Sequence, residues 1–186
     1  MDRFMLHLKN DNYFPKDASE LLHKSREFSL GMNVTIRDTR VSKKFLEFDV
    51  SIKKENLDEL LDKMKPLGDL EHAKHVVEEE IPKEDAIKTG ISYFNEERFW
   101  ECHEVFEGVW KKCYEGEKDL VQGIILVAAA LVHYQKNENK ICISILNRAS
   151  NKLANATGIY HNIDVDSLRN KVNEIITSGK ISTFLI

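Results

Sequence analysis

The spacing of apolar side chains changes character about halfway along the chain. Up to residue 80, short alternating runs interleave with two short helical stripes; over residues 81 to 178 the period is helical throughout. Arg3 to Leu8 predicts a strand. Asp17-Ala-Ser-Glu20 is a capping-box pattern opening a helix with Leu21, Leu22, Ser25 and Phe28 inward, and Gly31 ends it. Val34 and Ile36 alternate. Leu46, Phe48, Val50 and Ile52 then alternate with Glu47, Asp49 and Ser51, as in a half-buried strand. Asn56 to Glu59 caps a second helix carrying Leu57, Leu60, Leu61 and Met64; Pro66 and Gly68 stop it, and Leu70 to Val77 reads as the last strand. The order βαββαβ is that of a ferredoxin-like sandwich.

The second half predicts five helices. Ala86, Ile87, Gly90, Ile91 and Phe94 form the apolar face of the first, and Asn95 suits the N-cap of the second. Glu115-Gly116 separates that helix from a third, Asp119 to Gln135, which is apolar nearly all round and so should be the buried central one. Asn137-Glu-Asn139 starts a fourth with Ile141, Ile145, Leu146, Ala149 and Leu153 inward, ended by Gly158. Asp164 caps a fifth with Leu168, Val172, Ile175 and Ile176, ended by Gly179. The greasy tail Ile181 to Ile186 is expected to dock on a domain surface or a partner, because frayed ends are normally polar. The fold class is therefore α+β: a ferredoxin-like domain over residues 1–80, then an all-α bundle over 81–186. The run Glu78-Glu79-Glu80 before Ile81-Pro82 marks the join, since Pro82 suits the first turn of a helix.

Composition narrows the function only a little. The chain has 186 residues, 27 basic and 31 acidic, and a net charge of -4, which argues against a general nucleic-acid binder. No basic-then-apolar leader follows Met1, and the longest apolar run, Ile124 to Val132, is far short of the roughly 20 residues that span a bilayer. Cys102, Cys113 and Cys142 lack a Cys-x-x-Cys spacing and fall on apolar faces, which suits reduced thiols. A cytoplasmic location is expected, with no membrane partner.

The candidate chemistry lies between Asn95 and Trp110. On a helical wheel Phe99, Cys102, Phe106, Val109 and Cys113 form the apolar arc. Trp100, His103, Glu107, Trp110 and Tyr114 line one edge, Glu104 and Lys111 come next, and Glu101, Gly108 and Lys112 face away. His103 and Glu107 are thus neighbours at the border of core and solvent, where desolvation and mutual attraction move pKa values. The central helix adds Gln122 and His133 on one stripe, and these need partners if buried. An antiparallel pair would bring Gln122 near Glu107 and Trp110, and His133 near Phe99 and Trp100. Ala128 to Ala130 leave room for a close helix approach or a small ligand. Arg148 is the candidate counter-ion for Glu104 or Glu107.

Phe94, Asn95, Phe99, Trp100, Glu101, His103, Glu104, Glu107 and Trp110, followed by Gln122-Gly123, Ala128-Ala129 and His133, resemble domain-of-unknown-function family 309. The resemblance covers roughly residues 84 to 155. It implies an all-α bundle and brings no activity with it. The chain departs from the family at Glu97, where glycine is usual, and over Asn137 to Lys140, where the family's turn is glycine-rich.

Four uses of this cluster compete. A small ligand or a protein partner would bind at Trp100, His103, Glu104, Glu107, Trp110, Gln122, His133 and Arg148. A hydrolase-like or metal-dependent enzyme would use His103, Glu104 and Glu107 as catalytic candidates. A closed polar core would pair His103, Glu107, Gln122 and His133 with one another and with Arg148, and equal, large losses on removing His103 and Gln122 would mark it; the expectation is mixed, with Gln122→Ala strongly destabilising and His103→Ala mild. A metal site is disfavoured, because His-Glu-x-x-His is completed here by a glutamate, so no cofactor is expected. RNA binding by the first domain would need Phe45 and Phe48 on one face, yet they are three residues apart; Arg37, Arg40, Lys43 and Lys44 form its one basic hairpin. A homo-oligomer is compatible with all four. The helical half carries its own apolar faces, so a fragment from Ile81 to Ile186 is expected to be soluble, helical and cooperative in thermal unfolding followed by circular dichroism. A molten or aggregating fragment beside a well-behaved full chain would contradict the two-domain reading.

Overall fold

The computed structural model describes residues 1–77 and 80–186, so Glu78 and Glu79 of the predicted join lie outside the described residues. The chain divides into two compact units, residues 1–79 with 135–137 and residues 80–134 with 138–186.

The first unit runs β1 (Asp2–Lys9), α1 (Ala18–Phe28), β2 (Val34–Val41), β3 (Phe45–Ile52), α2 (Leu57–Met64) and β4 (Leu70–His75). Its strands form one antiparallel sheet in the order β2-β3-β1-β4. Phe4, Leu6 and Leu8 of β1 and Leu46, Phe48, Val50 and Ile52 of β3 point to one face, as the two-residue period requires. There they pack with Ala18 and Leu21 of α1 and Leu60 and Met64 of α2. A bulge between Ile36 and Asp38 shifts the phase of β2, so Ile36 and Val41 both reach this core although they lie an odd five positions apart.

The same shift sets Arg40 opposite Glu47. β3 was expected to be half wet, yet all eight of its residues are buried. Its acids are buried as ion pairs. Arg40 Nε donates to Glu47 Oε1 at 3.0 Å, His7 Nε2 faces Glu47 Oε2 at 3.6 Å, and Arg3 donates twice to Asp49, at 2.9 and 2.6 Å. Alternation records hydrophobicity and is blind to such pairing. The capping box is also displaced. Asp17 makes no side-chain bond into α1 and instead accepts from Phe14 N at 2.8 Å, closing the turn before the helix. Phe28 ends 36% exposed rather than inward.

The second unit contains α3 (Lys83–Asn95), α4 (Phe99–Lys111), α5 (Glu115–Tyr134), α6 (Asn139–Leu153) and α7 (Val165–Ser178). The five expected helices are present. A small hairpin, β5 (Ile159–Tyr160) with β6 (Ile163–Asp164), interrupts the helical half; strands of two residues are too short to show an alternating period. α5 starts at Glu115, four residues earlier than expected, with Glu115 and Glu117 favouring its positive end. The break from α4 falls at residues 112–114. α5 is the buried centre, touching α4 on one side and α6 on the other. On α6 Cys142 takes the inward place expected of Ile141, which is 45% exposed. Asp164 Oδ1 accepts from Ser167 N at 2.9 Å and caps α7, and Gly179 ends it at φ 66°. The tail docks as expected, with Ile181, Phe184 and Ile186 against this unit's core.

Gly123 permits the close contact of α5 with α6. A Cβ there would lie 2.5 Å from Leu153 Cδ2, on a leucine that is fully buried. Gly123→Ala is therefore expected to destabilise the protein by about 1–3 kcal/mol in denaturant unfolding, despite the better helix propensity of alanine.

Candidate functional site

The site begins at the corner between α3 and α4. Asn95 was expected to cap α4, but it is the last residue of α3, and Arg98 takes the N-cap position. Arg98 N donates to Tyr93 O at 2.9 Å and Glu97 N donates to Phe94 O at 3.0 Å, the paired bonds of a Schellman ending. Such an ending needs a left-handed residue, and Glu97 supplies it at φ 61°. Asn137 is also left-handed, at φ 62°, in the turn between α5 and α6. Both of the chain's departures from the family's glycines thus fall where the backbone is left-handed. Asn95 is left to bind the tail: its amide donates to Ile186 O at 3.2 Å and accepts from Ile186 N at 2.9 Å.

α4 buries the arc that its wheel predicts, Phe99, Cys102, Phe106 and Val109. Burial pushes the Cys102 thiol well above its ordinary value and Cys142 up to about 12, so neither is a nucleophile near neutral pH. Cys113 falls just past α4, half-buried, its thiol donating to Val109 O at 3.3 Å.

Glu101 contradicts the wheel. It was placed facing away, yet it is 2% exposed and held by Arg98 through bonds of 2.8 and 2.5 Å. Arg98 also lies 4.4 Å over the Tyr93 ring. Burial works against the Arg98 charge, but the hydrogen bonds and charge of Glu101 outweigh it and raise its pKa above the ordinary guanidinium value. The signal was in the sequence, an arginine three residues before a family glutamate. A hydrophobicity wheel cannot see a charge that is buried with its partner.

The remaining candidates divide into local groups. His103 Nδ1 meets Glu104 Oε1 at 3.2 Å and its Nε2 lies 3.8 Å from Glu107 Oε1. The two carboxylates straddle the ring, so they do not converge with it on one metal position. Trp110 Nε1 is buried with no hydrogen-bond partner among the described residues. Lys118 of α5 lies 5.4 Å over the Trp110 ring. That contact joins the start of α5 to the end of α4, and Gln122 lies one turn beyond Lys118 on α5. Gln122 is half-buried, and its amide makes no hydrogen bond among the described residues. His133 belongs to a different pair, with its Nδ1 2.5 Å from Glu138 Oε2. Arg148 is exposed, and no ion pair joins it to Glu104 or Glu107 among the described residues. Ala128 and Ala130 are fully buried and serve the close helix approach. Among the described residues, no hydrogen bond or ion pair joins His103 or Glu107 to Gln122, His133 or Arg148.

A family model described as Domain of unknown function (DUF309) matches residues 87–145, and this segment holds α4, α5 and the polar cluster. The N-terminal half has no family match. No curated protein and no solved structure matches the chain.

A second cluster, absent from the sequence reading, joins the start of α3 to the start of α5 and the small hairpin. Lys83 Nζ donates to Glu117 Oε2 at 2.6 Å, Tyr160 Oη donates to Glu117 Oε1 at 3.4 Å, and Tyr114 N donates to Glu117 Oε2 at 3.2 Å. The bond from Lys83 holds the Glu117 carboxyl below its ordinary value, and the same bond raises Lys83. A depressed carboxyl stabilises the fold above its unfolded pKa, about 4.3, and that stability is lost as pH falls through the folded value. The raised Lys83 contributes fully below its unfolded pKa, about 10.4, and loses its share as pH rises through the folded one. Lys83→Met is therefore expected to lower Tm at pH 7 by about 1–4 °C. The gap from the parent protein should close as the pH falls below about 4; a gap that persists to pH 2.5 in thermal melts would refute the assignment.

Proposed function

We propose that the helical unit binds a small polar ligand on the face shared by α4 and α5, using His103, Glu107, Trp110 and Gln122. The observation that carries this reading is the Trp110 indole N–H, buried without a hydrogen-bond partner among the described residues. Native interiors satisfy such groups at close to every position, and leaving one unmade costs about 1–3 kcal/mol. Groups left with hydrogen-bonding capacity beside a half-exposed histidine and carboxylate suit recognition better than packing. The same edge would suit the polar rim of a protein partner.

Acid–base catalysis is the second reading, and one observation favours it: the Glu138 carboxylate lies against His133 Nδ1, where it orients the ring. In the first unit, the element order and the sheet order β2-β3-β1-β4 support a ferredoxin-like domain. RNA binding there loses support, because Phe45 and Phe48 are both buried and Arg40 is paired with Glu47 and Asp38. No helix is long and apolar enough to cross a membrane among the described residues, and a cytoplasmic location is part of the proposal.

The test uses Trp100 and Trp110 fluorescence, titrated with a panel of small carboxylates, amines and amides. A saturable change that Gln122→Ala or His103→Ala abolishes is the expected result. Each variant should unfold within about 0.5 kcal/mol of the parent, which reverses the expectation that Gln122 is the more tightly held. Losses above about 2 kcal/mol at both positions, with no ligand response, would make the cluster a structural core.

A further inference from the structure

We propose that residues 181–186 are a latch that sets the α3–α4 corner and, through it, the first turn of α4. Two tail contacts meet the corner itself. Asn95 binds the Ile186 backbone twice, accepting from its N–H and donating to its carbonyl oxygen, and Thr183 Oγ1 donates to Glu97 Oε1 at 2.6 Å. A third passes through the core. The Phe184 ring is 5.5 Å from Phe94, and Phe94 is 5.0 Å from Phe99, the first residue of α4. The tail therefore touches the last turn of α3, the left-handed residue, and the aromatic pair on which α4 starts.

The corner has a reason to need this. A left-handed glutamate is disfavoured by its own side chain, whereas a glycine is not. At Glu97 the side chain that causes the strain is also the one tied to the tail. Releasing Thr183 and Ile186 removes that restraint and leaves the strain. Arg98, the next residue, holds buried Glu101, so loosening at the corner passes directly into the turn that precedes His103. Chain ends generally open at lower free energy than packed helices. The inference does not depend on which ligand the α4–α5 face takes.

Amide hydrogen exchange on the full chain tests it. Phe184→Asp places a charge on the tail's aromatic anchor and should release Ile186. The amides of Glu97, Arg98 and Cys102 should lose protection with it, by at least about fivefold, while those of α6 keep theirs. Leu185→Asp, at a side chain 74% exposed, should change neither set. Adding Glu97→Gly to Phe184→Asp should restore the corner amides while Ile186 stays released, because glycine needs no latch at a positive φ. If Phe184→Asp does not fold, Thr183→Val, which removes the bond to Glu97, should give the same pattern with a smaller change. A released tail beside a fully protected corner would overturn the proposal, as would failure of Glu97→Gly to restore it.

Discussion

Arg98, at the N-cap of α4 and next to left-handed Glu97, holds the buried Glu101 carboxylate with two hydrogen bonds. Breaking a buried ion pair by removing one partner is strongly destabilising, because a buried charge loses its compensation. The rest of the helical unit follows from that corner. It fixes the direction in which α4 leaves α3, and so which arc of α4 meets α5. Phe99, Cys102, Phe106 and Val109 then fill the core, and Trp100, His103, Glu107 and Trp110 are left along its border.

Close helix packing makes this border consequential. Gly90 lets Phe106 lie against α3, where a Cβ would come within 2.5 Å of the ring, and Gly123 does the same for Leu153 on α6. With the helices drawn together, the polar groups at the edge are partly desolvated but not enclosed. His103 finds two carboxylates on its own helix, whereas Trp110 Nε1 and the Gln122 amide find nothing among the described residues. A polar core would have closed these bonds. The open arrangement is what gives the binding proposal its physical basis.

The two units handle buried charge alike. Glu47 with Arg40, Asp49 with Arg3, and Glu101 with Arg98 are each close arginine–carboxylate pairs, the geometry that best offsets desolvation. In each case the acid sits at a position where the hydrophobic pattern expects solvent.

Strand and helix order, the apolar arc of α4, the central place of α5, the Asp164 cap and the docking of the tail were all legible in the sequence. They depend on local periodicity and on residues with strong positional preferences. The polar edge of α4 was legible for the same reason. The pairing of polar groups was not. Whether His103 meets Glu107 or Gln122, whether Arg148 reaches a glutamate, and which acids are buried depend on contacts between side chains far apart in the chain or on exact rotamers, and periodicity carries neither. Asn95 shows the limit most clearly. Its type announced a helix boundary, and a boundary is there, but its amide bonds the tail, 91 residues away. Sequence by itself determined where the elements lie and which faces are apolar, because those are properties of neighbours three or four residues apart. Only the tertiary structure decided what the leftover polar groups bind, because hydrogen bonds are short and directional and are settled once the packed helices bring donors and acceptors within 3 Å.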